Sequence, residues 1–235
     1  MTVPERSVPT NLRISLTILS IGFAIEGAGE LYSVLSGGTF RPGTWLLLII
    51  PTIATLVGLL FVWIGRHEWN ELHRDRVRRA HVVFGLSVVG GFLGGGILGL
   101  LIAVPTLGVP TWASIVFGTS IGSLVFGTFV TYGILVFHLV RPVSKGILIA
   151  SLLWSLLISA LVARVLVGDL PTLVGLVDHR TLDANGLVDP VSSLASFLFV
   201  SYFLLLASYV DAHRTVTKGL ETSSTGPAPT GGTSR

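Results

Sequence analysis

Residues 147–167 read ILIASLLWSLLISALVARVLV, and Arg164 is the one charged side chain in the run. An α-helix rises about 1.5 Å per residue, so about 20 apolar residues cross the roughly 30 Å hydrocarbon core of a bilayer. The flanking segments Ser144-Lys145-Gly146 and Gly168-Asp169 are polar or glycine-containing and set the ends of the run. This stretch therefore predicts a transmembrane helix.

The rest of the chain repeats this pattern. Only 11% of the 235 residues are charged and the mean hydropathy is +0.81, whereas soluble domains carry about 25% charged residues. Further apolar runs lie at 12–35, 45–64, 81–104, 112–140 and 191–210. The fourth is long for one span, which predicts tilt or an extension beyond the lipid. The sequence predicts an all-α, polytopic integral membrane protein, a bundle of six transmembrane helices.

The distribution of Lys and Arg predicts the orientation of these spans. With the N-terminus in the cytoplasm, most of the 15 basic residues fall in cytoplasmic segments, and only Arg41 and Arg180 fall in outer loops. Basic residues concentrate in cytoplasmic loops. We therefore expect a multi-pass protein of the cell membrane with both termini inside. Residues 1–11 form an N-terminal tail, 12–210 the transmembrane domain, and 211–235 a largely disordered C-terminal tail rich in Ser, Thr, Gly and Pro. A cleaved signal peptide is the weaker alternative for the first span, because Glu26 and Glu30 occupy the cleavage region.

Two carboxyl groups lie inside the first span. Glu26 and Glu30 are four residues apart and therefore share a helix face. The same face carries small or polar residues, namely Ser15, Gly22, Gly29 and Ser33. A charge in the bilayer centre is unfavourable by about 2.5–3.5 kcal/mol, so this polar stripe should face protein or water, and burial and mutual repulsion favour the protonated form.

The stripe admits two interpretations. One is a proton- or cation-binding site that opens to the outer side of the membrane. The other is a structural pair of protonated acids that hydrogen-bond to a neighbouring helix. Arg164 lies at a depth similar to Glu30 and is the candidate counter-ion. On the same helix, Ser151, Ser155 and Ser159 form a serine stripe of small residues. Arg164 is nine residues from Ser155, which places it on the opposite side of the helix, where it would face lipid.

Glycines recur at helical spacing in the third and fourth spans. Gly91, Gly95 and Gly99 follow one another at steps of four, and Gly118 and Gly122 do the same. Small residues let helix backbones approach closely in membranes. We expect these glycines to pack the third and fourth spans on each other; a hinge or an unwound half-helix is the functional alternative.

The loop at 65–81 is the densest charge cluster in the chain. We expect it to form a short cytoplasmic helix or to extend the second span. Its arginines predict contact with the bilayer, in particular with anionic lipid headgroups, and docking of a protein partner is the alternative. The residues concerned are Arg74, Arg76, Arg78 and Arg79. We expect no nucleic-acid binding, because the basic residues cluster at the ends of apolar runs.

Signals for catalysis, metals and cofactors are weak. The chain has no cysteine, which excludes disulfides, thiolate metal sites and a cysteine nucleophile. His81 and His138 fall near the same membrane boundary, and two imidazoles could hold zinc or haem iron. The further ligand candidates, Glu68, His67 and His73, lack metalloenzyme spacing, so histidines without a ligand are the expected case. The metalloprotease motif H-E-x-x-H is missing from the sequence. We therefore expect no enzyme activity, no bound metal and no cofactor.

Two functions remain compatible with this pattern. The thin loops and modest polar stripes favour a non-catalytic subunit, assembly or scaffold protein of a membrane complex, which would bind another membrane protein or a second copy of the chain. The alternative is a small proton- or cation-linked transporter or channel that uses Glu26 and Glu30.

Overall fold

The computed structural model of the chain describes residues 10–36, 44–104, 108–178 and 194–224. Within these ranges the protein is helical and contains no strand, which confirms the all-α class. Among the described residues, the long α-helices are α1 (Thr10–Leu35), α2 (Thr44–Ile64), α3 (Glu71–Ala103), α4 (Thr111–Val136), α5 (Pro142–Asp178) and α6 (Phe199–Ser224). A single 3₁₀ turn, Gly65–His67, follows α2.

In the part of the chain that the structure describes, five helical segments are long and apolar enough to cross a membrane. They are Thr10–Leu35, Glu71–Ala103, Thr111–Val136, Pro142–Gly168 and Leu194–Lys218. In the second apolar run, the apolar helical segment Ile53–His67 is shorter than a full span. The helical architecture therefore fits a membrane protein with at least five spans.

The helices pack in the order α2, α1, α6, α5, α4, α3. On α1 the buried apolar residues recur every three or four positions, at Leu12, Leu16, Leu19 and Phe23. This spacing gives the helix one continuous inner face. Helices α2 and α3 are consecutive in the chain, but α2 packs on α1 and α3 packs on α4. The two helices come together at Trp63 and His81, whose ring centroids are 4.7 Å apart.

The charged loop after α2 belongs to the third helix, not the second. The extension of the second span stops at the 3₁₀ turn, and α3 begins at Glu71, ten residues before the predicted start of the third span. Asn70 caps this helix, because its side-chain oxygen accepts a hydrogen bond of 2.7 Å from the backbone N–H of His73. Asn at this position satisfies an amide that otherwise has no partner in the first turn.

Three other helix boundaries differ from the predicted spans. Helix α4 ends at Val136, before the Arg141-Pro142 stop expected from the sequence. Helix α5 continues to Asp178, past the predicted end at Val167. Helix α6 continues past Val210 to Ser224, since Ala212 and Val216 are fully buried. Residues 1–9, 179–193 and 225–235, which include parts of the predicted N-terminal tail, outer loop and C-terminal tail, lie outside the described residues.

The glycines divide between two interfaces. Gly91 packs on Leu124 of α4, as expected for the third and fourth spans. Gly118 and Gly122 instead face α5, because a Cβ at Gly118 would lie 2.6 Å from the Ala163 carbonyl oxygen. Gly95 and Gly99 have open space around them within the described part of the chain. Only one of the five glycines thus lies at the expected interface.

Candidate functional site

Glu26 and Glu30 project from α1 toward α6. The Glu26 carboxyl has the Tyr202 hydroxyl as its hydrogen-bonding neighbour, and the Glu30 carboxyl has the Ser196 hydroxyl. Ser196 also donates a hydrogen bond of 3.0 Å to the Ser33 hydroxyl, one turn beyond Glu30. The polar stripe of α1 therefore faces protein hydroxyl groups.

Small residues on α1 allow this approach. Gly22 and Gly27 are both buried. A Cβ at Gly27 would lie 3.2 Å from the Phe203 ring, so even alanine would crowd α6 here. Because the backbones come this close, carboxyl and hydroxyl groups of the two helices meet directly.

An aromatic cluster closes the stripe on the side toward the N-terminus of α1. The Phe23 ring centroid lies 4.9 Å from those of Tyr132 and Tyr209, and 6.3 Å from that of Tyr202. The Tyr209 hydroxyl donates a 3.0 Å hydrogen bond to the Tyr132 carbonyl oxygen. Thr55 of α2 is the hydrogen-bonding neighbour of the Tyr132 hydroxyl. Four helices thus contribute to one layer next to Glu26.

Arg164 lies elsewhere. It is exposed on α5, and in the described ranges the ion pairs are Arg74–Glu71 and Arg141–Asp211, so neither glutamate is paired with a cation there. This matches the alternative in which Arg164 faces lipid and its side chain reaches the interface. A carboxyl pair surrounded by hydroxyls and without a cationic partner can hold a proton or bind a small cation.

The serine stripe of α5 packs this helix on α6. The Ser151 hydroxyl donates to the Ser201 carbonyl oxygen, and the Ser201 hydroxyl donates to the Ser151 carbonyl oxygen, each at 3.0 Å. Trp154 adds a 2.8 Å hydrogen bond to the Phe197 carbonyl oxygen. These bonds fix α6 against α5 and so position Ser196 and Tyr202.

The histidine pair differs from the one considered in the sequence. His138 meets His73, with ring centroids 5.2 Å apart, whereas His81 bonds to the Val77 carbonyl oxygen at 2.8 Å. His73 precedes the apolar part of α3, which starts near His81, and His138 follows the end of α4 at Val136. In the described part of the chain none of the nitrogens of these two rings has a hydrogen-bond partner. Burial lowers the pKa of each imidazole to about 4. The neighbouring His138 lowers the pKa of His73 further, and the positive charges of Arg76 and Lys145 lower the pKa of His138 further.

The arginines of the third helix have separate environments. Arg74 lies 3.8 Å from Glu71 in an exposed ion pair, and Arg76 lies 5.8 Å from the Phe137 ring centroid. Arg78 and Arg79 are exposed. As for metals, no cluster of three or more His, Asp or Glu side chains forms within the described ranges.

Two polar contacts between distant parts of the chain were not anticipated. Glu68 accepts hydrogen bonds from the backbone N–H groups of Asn11 (2.9 Å) and Leu12 (3.3 Å), and so caps α1. Asp211 accepts hydrogen bonds from the backbone N–H (3.0 Å) and Nε (2.7 Å) of Arg141. In the sequence, Glu68 and Asp211 each lie just beyond the end of a predicted span, and this position does not identify the partner of either acid.

Comparison of the chain with protein-family models, with curated proteins and with solved structures gives no match.

Proposed function

We propose that this chain is a six-span membrane protein with both termini in the cytoplasm that binds a proton or a small cation at Glu26 and Glu30, as part of a transport cycle. The observation that carries the proposal is the environment of the two carboxyl groups. They face the hydroxyl groups of Ser196 and Tyr202 and have no cationic partner among the described residues. An ionisable group inside a transmembrane segment is by default a candidate functional site, because placing it there is energetically costly.

The aromatic layer beside the site indicates from which side of the membrane the ion would enter. Phe23, Tyr132 and Tyr209 fill the bundle next to Glu26, while Glu30 lies one turn nearer the C-terminal end of α1. With the N-terminus inside, that end faces outward. The ion would therefore enter from the outer side, reach Glu30 first and then Glu26, and passage to the cytoplasm would require the aromatic side chains to move.

Flux measurements test this function. The purified chain is reconstituted in liposomes, and proton or alkali-cation flux is followed with a trapped pH-sensitive or cation-sensitive dye. Glu26→Gln and Glu30→Gln keep the side-chain size and should abolish flux, because an amide takes up neither a proton nor a cation. Glu71→Gln is the matched control, since Glu71 is exposed and outside the apolar segment of α3. Flux that is unchanged in both Glu26→Gln and Glu30→Gln would refute the proposal.

The second candidate is a non-catalytic subunit or scaffold of a membrane complex, and the exposed face of α3 favours it. Only 17% of the apolar window of α3 is buried within the chain, against 44% for α4. This face presents the open glycines Gly95 and Gly99, which would let a helix of a partner protein approach closely.

Assembly measurements separate the two candidates. The mass of the complex is measured in nanodiscs excised directly from membranes. For a subunit, Gly95→Leu and Gly99→Leu should reduce the mass to that of the chain alone, whereas Glu26→Gln should leave it unchanged. Gly146→Leu is the control, because Gly146 on α5 is also surrounded by open space. Equal masses for all variants would exclude assembly through this face.

A further inference from the structure

A charged pocket lies where α2 ends and α3 begins, and none of the residues that line it belongs to α1, the helix of Glu26. It has a volume of about 330 Å³, within the usual range of about 300–1,000 Å³ for small-molecule sites. Its walls combine an indole, three guanidinium groups and two carboxylates, from Trp63, Arg66, Glu71, Arg74, Asp75 and Arg78. Both signs of charge thus line one pocket, with an excess of one positive charge.

The pocket lies at the edge of the apolar segments. Trp63 is the last aromatic residue of α2 and is 39% exposed, and tryptophan is enriched at the level of lipid headgroups. The charged first turns of α3 precede the apolar segment that starts near His81. A molecule in this pocket would therefore lie at headgroup depth.

The guanidinium of Arg66 is held in place by the protein. Its Nη1 donates a 2.7 Å hydrogen bond to the Trp63 carbonyl oxygen, and its Cζ lies 4.3 Å from the centroid of the Trp63 ring. Stacking on an aromatic ring orients the planar arginine fork, and several N–H donors stay available. Neither Arg66 nor Arg78 forms an ion pair with a carboxylate in the parts of the chain that the structure describes.

The carboxylates are also available to a ligand. Glu71 is 87% exposed and lies 3.8 Å from Arg74, a separation typical of a weak surface pair. Asp75 lies one turn after Glu71 and is exposed. Arginines match a phosphate group through paired N–H donors, whereas the two carboxylates match an ammonium group. A purely anionic headgroup would leave the carboxylates facing a negative charge.

We propose that this pocket binds the headgroup of an amine-bearing phospholipid, with the phosphate on Arg66 and Arg78 and the ammonium group on Glu71 and Asp75. The site is independent of the ion-binding site at Glu26 and Glu30. At this pocket the chain would recognise one zwitterionic headgroup, in place of the general attraction between the basic loop and anionic lipid expected from the sequence.

Native mass spectrometry of the full chain in detergent tests this inference. Phosphatidylethanolamine, phosphatidylglycerol and phosphatidylcholine with identical acyl chains are offered in equal amounts, and inorganic phosphate is added in a separate arm. We expect phosphatidylethanolamine adducts to dominate, and millimolar inorganic phosphate to leave them in place. Equal adducts for all three lipids, or dominance of phosphatidylglycerol, would overturn the proposal. Displacement by inorganic phosphate would also overturn it, since free phosphate would then be the ligand.

Variants locate the site. Arg78→Gln should weaken the phosphatidylethanolamine adduct about tenfold, the change expected for a lost charge-assisted hydrogen bond. Arg79→Gln removes the same charge from the next residue, which does not line the pocket, and should leave the adduct unchanged. Asp75→Asn should reduce the preference for ethanolamine over glycerol headgroups. Arg66→Gln provides a second test should Arg78→Gln fail to fold. Equal weakening by Arg78→Gln and Arg79→Gln would indicate diffuse surface charge and refute the site.

Discussion

At the residue scale, several polar side chains bond to partners that are distant in sequence. Glu68 is the clearest case, because its carboxylate accepts from two backbone amides at the start of α1. Those amides have no partner within their own helix, and a negative charge there also complements the helix dipole. The carboxylate thus ties the connection between α2 and α3 to the first helix.

The buried pair of His73 and His138 makes the stability of the fold depend on pH. Since the pKa of each folded imidazole is lowered to about 4, both stay neutral while an unfolded histidine protonates near 6.5. The unfolded state then binds more protons between these values, so stability is complete above about pH 6.5 and falls as the pH decreases toward 4. Thermal unfolding in detergent between pH 7.5 and 4.5 measures this loss.

A variant isolates the histidine contribution from other titrating groups. His73→Gln removes one of the two shifted imidazoles and should flatten the decrease of the melting temperature with falling pH. His67→Gln is the control, because His67 is exposed and a change there should leave the profile as it is. Parallel pH profiles for all three proteins would show that the pair does not contribute.

At the element scale, glycine positions decide how closely the helices approach. A Cβ at Gly118 would lie 2.6 Å from a backbone oxygen of α5, whereas Gly95 has nothing within 4 Å among the described residues. We expect Gly118→Ala to destabilise the protein by about 1–3 kcal/mol through overpacking. Gly95→Ala should be neutral or stabilise by up to about 1 kcal/mol, because alanine favours the helix. Denaturant titration of both variants measures the difference, and equal effects would contradict the assigned interfaces.

A second element-scale contact joins the start of α5 to α6. Asp211 is almost fully buried and accepts from both the backbone and the side chain of Arg141. Asp211→Asn should therefore lower the melting temperature, since the amide replaces charge-assisted hydrogen bonds with weaker ones. Asp75→Asn, at an exposed carboxylate, provides the comparison. A melting temperature for Asp211→Asn equal to that of Asp75→Asn would show that this pair does not hold α6 in place.

At the scale of the whole molecule, the predicted topology can be tested without background, because the chain has no cysteine. We expect a single cysteine at position 67 (His67→Cys) to be protected from a membrane-impermeant maleimide in intact cells and labelled after permeabilisation. A cysteine at position 181 (Thr181→Cys), in the predicted outer loop, should be labelled in intact cells. Labelling of position 67 in intact cells would contradict a cytoplasmic location for the loop between α2 and α3.

The sequence by itself determined the helical class, the approximate positions of the apolar segments and the shared face of Glu26 and Glu30. These features are local: the length of an apolar run and a period of 3.6 residues can be read along one segment. The predicted helix ends were less accurate. Helix α3 begins earlier than predicted, at the Asn70 cap, and α6 continues past Val210 with buried residues such as Val216.

Only the tertiary structure decided which faces meet. It directed Gly118 toward α5, paired His138 with His73, placed Tyr202 beside Glu26 and joined Asp211 to Arg141 across 70 residues. The physical reason is that each helix of this bundle has several apolar or small-residue faces of similar hydrophobicity. Which face packs on which neighbour depends on side-chain shape and backbone approach summed over the whole bundle, and no single segment contains that information.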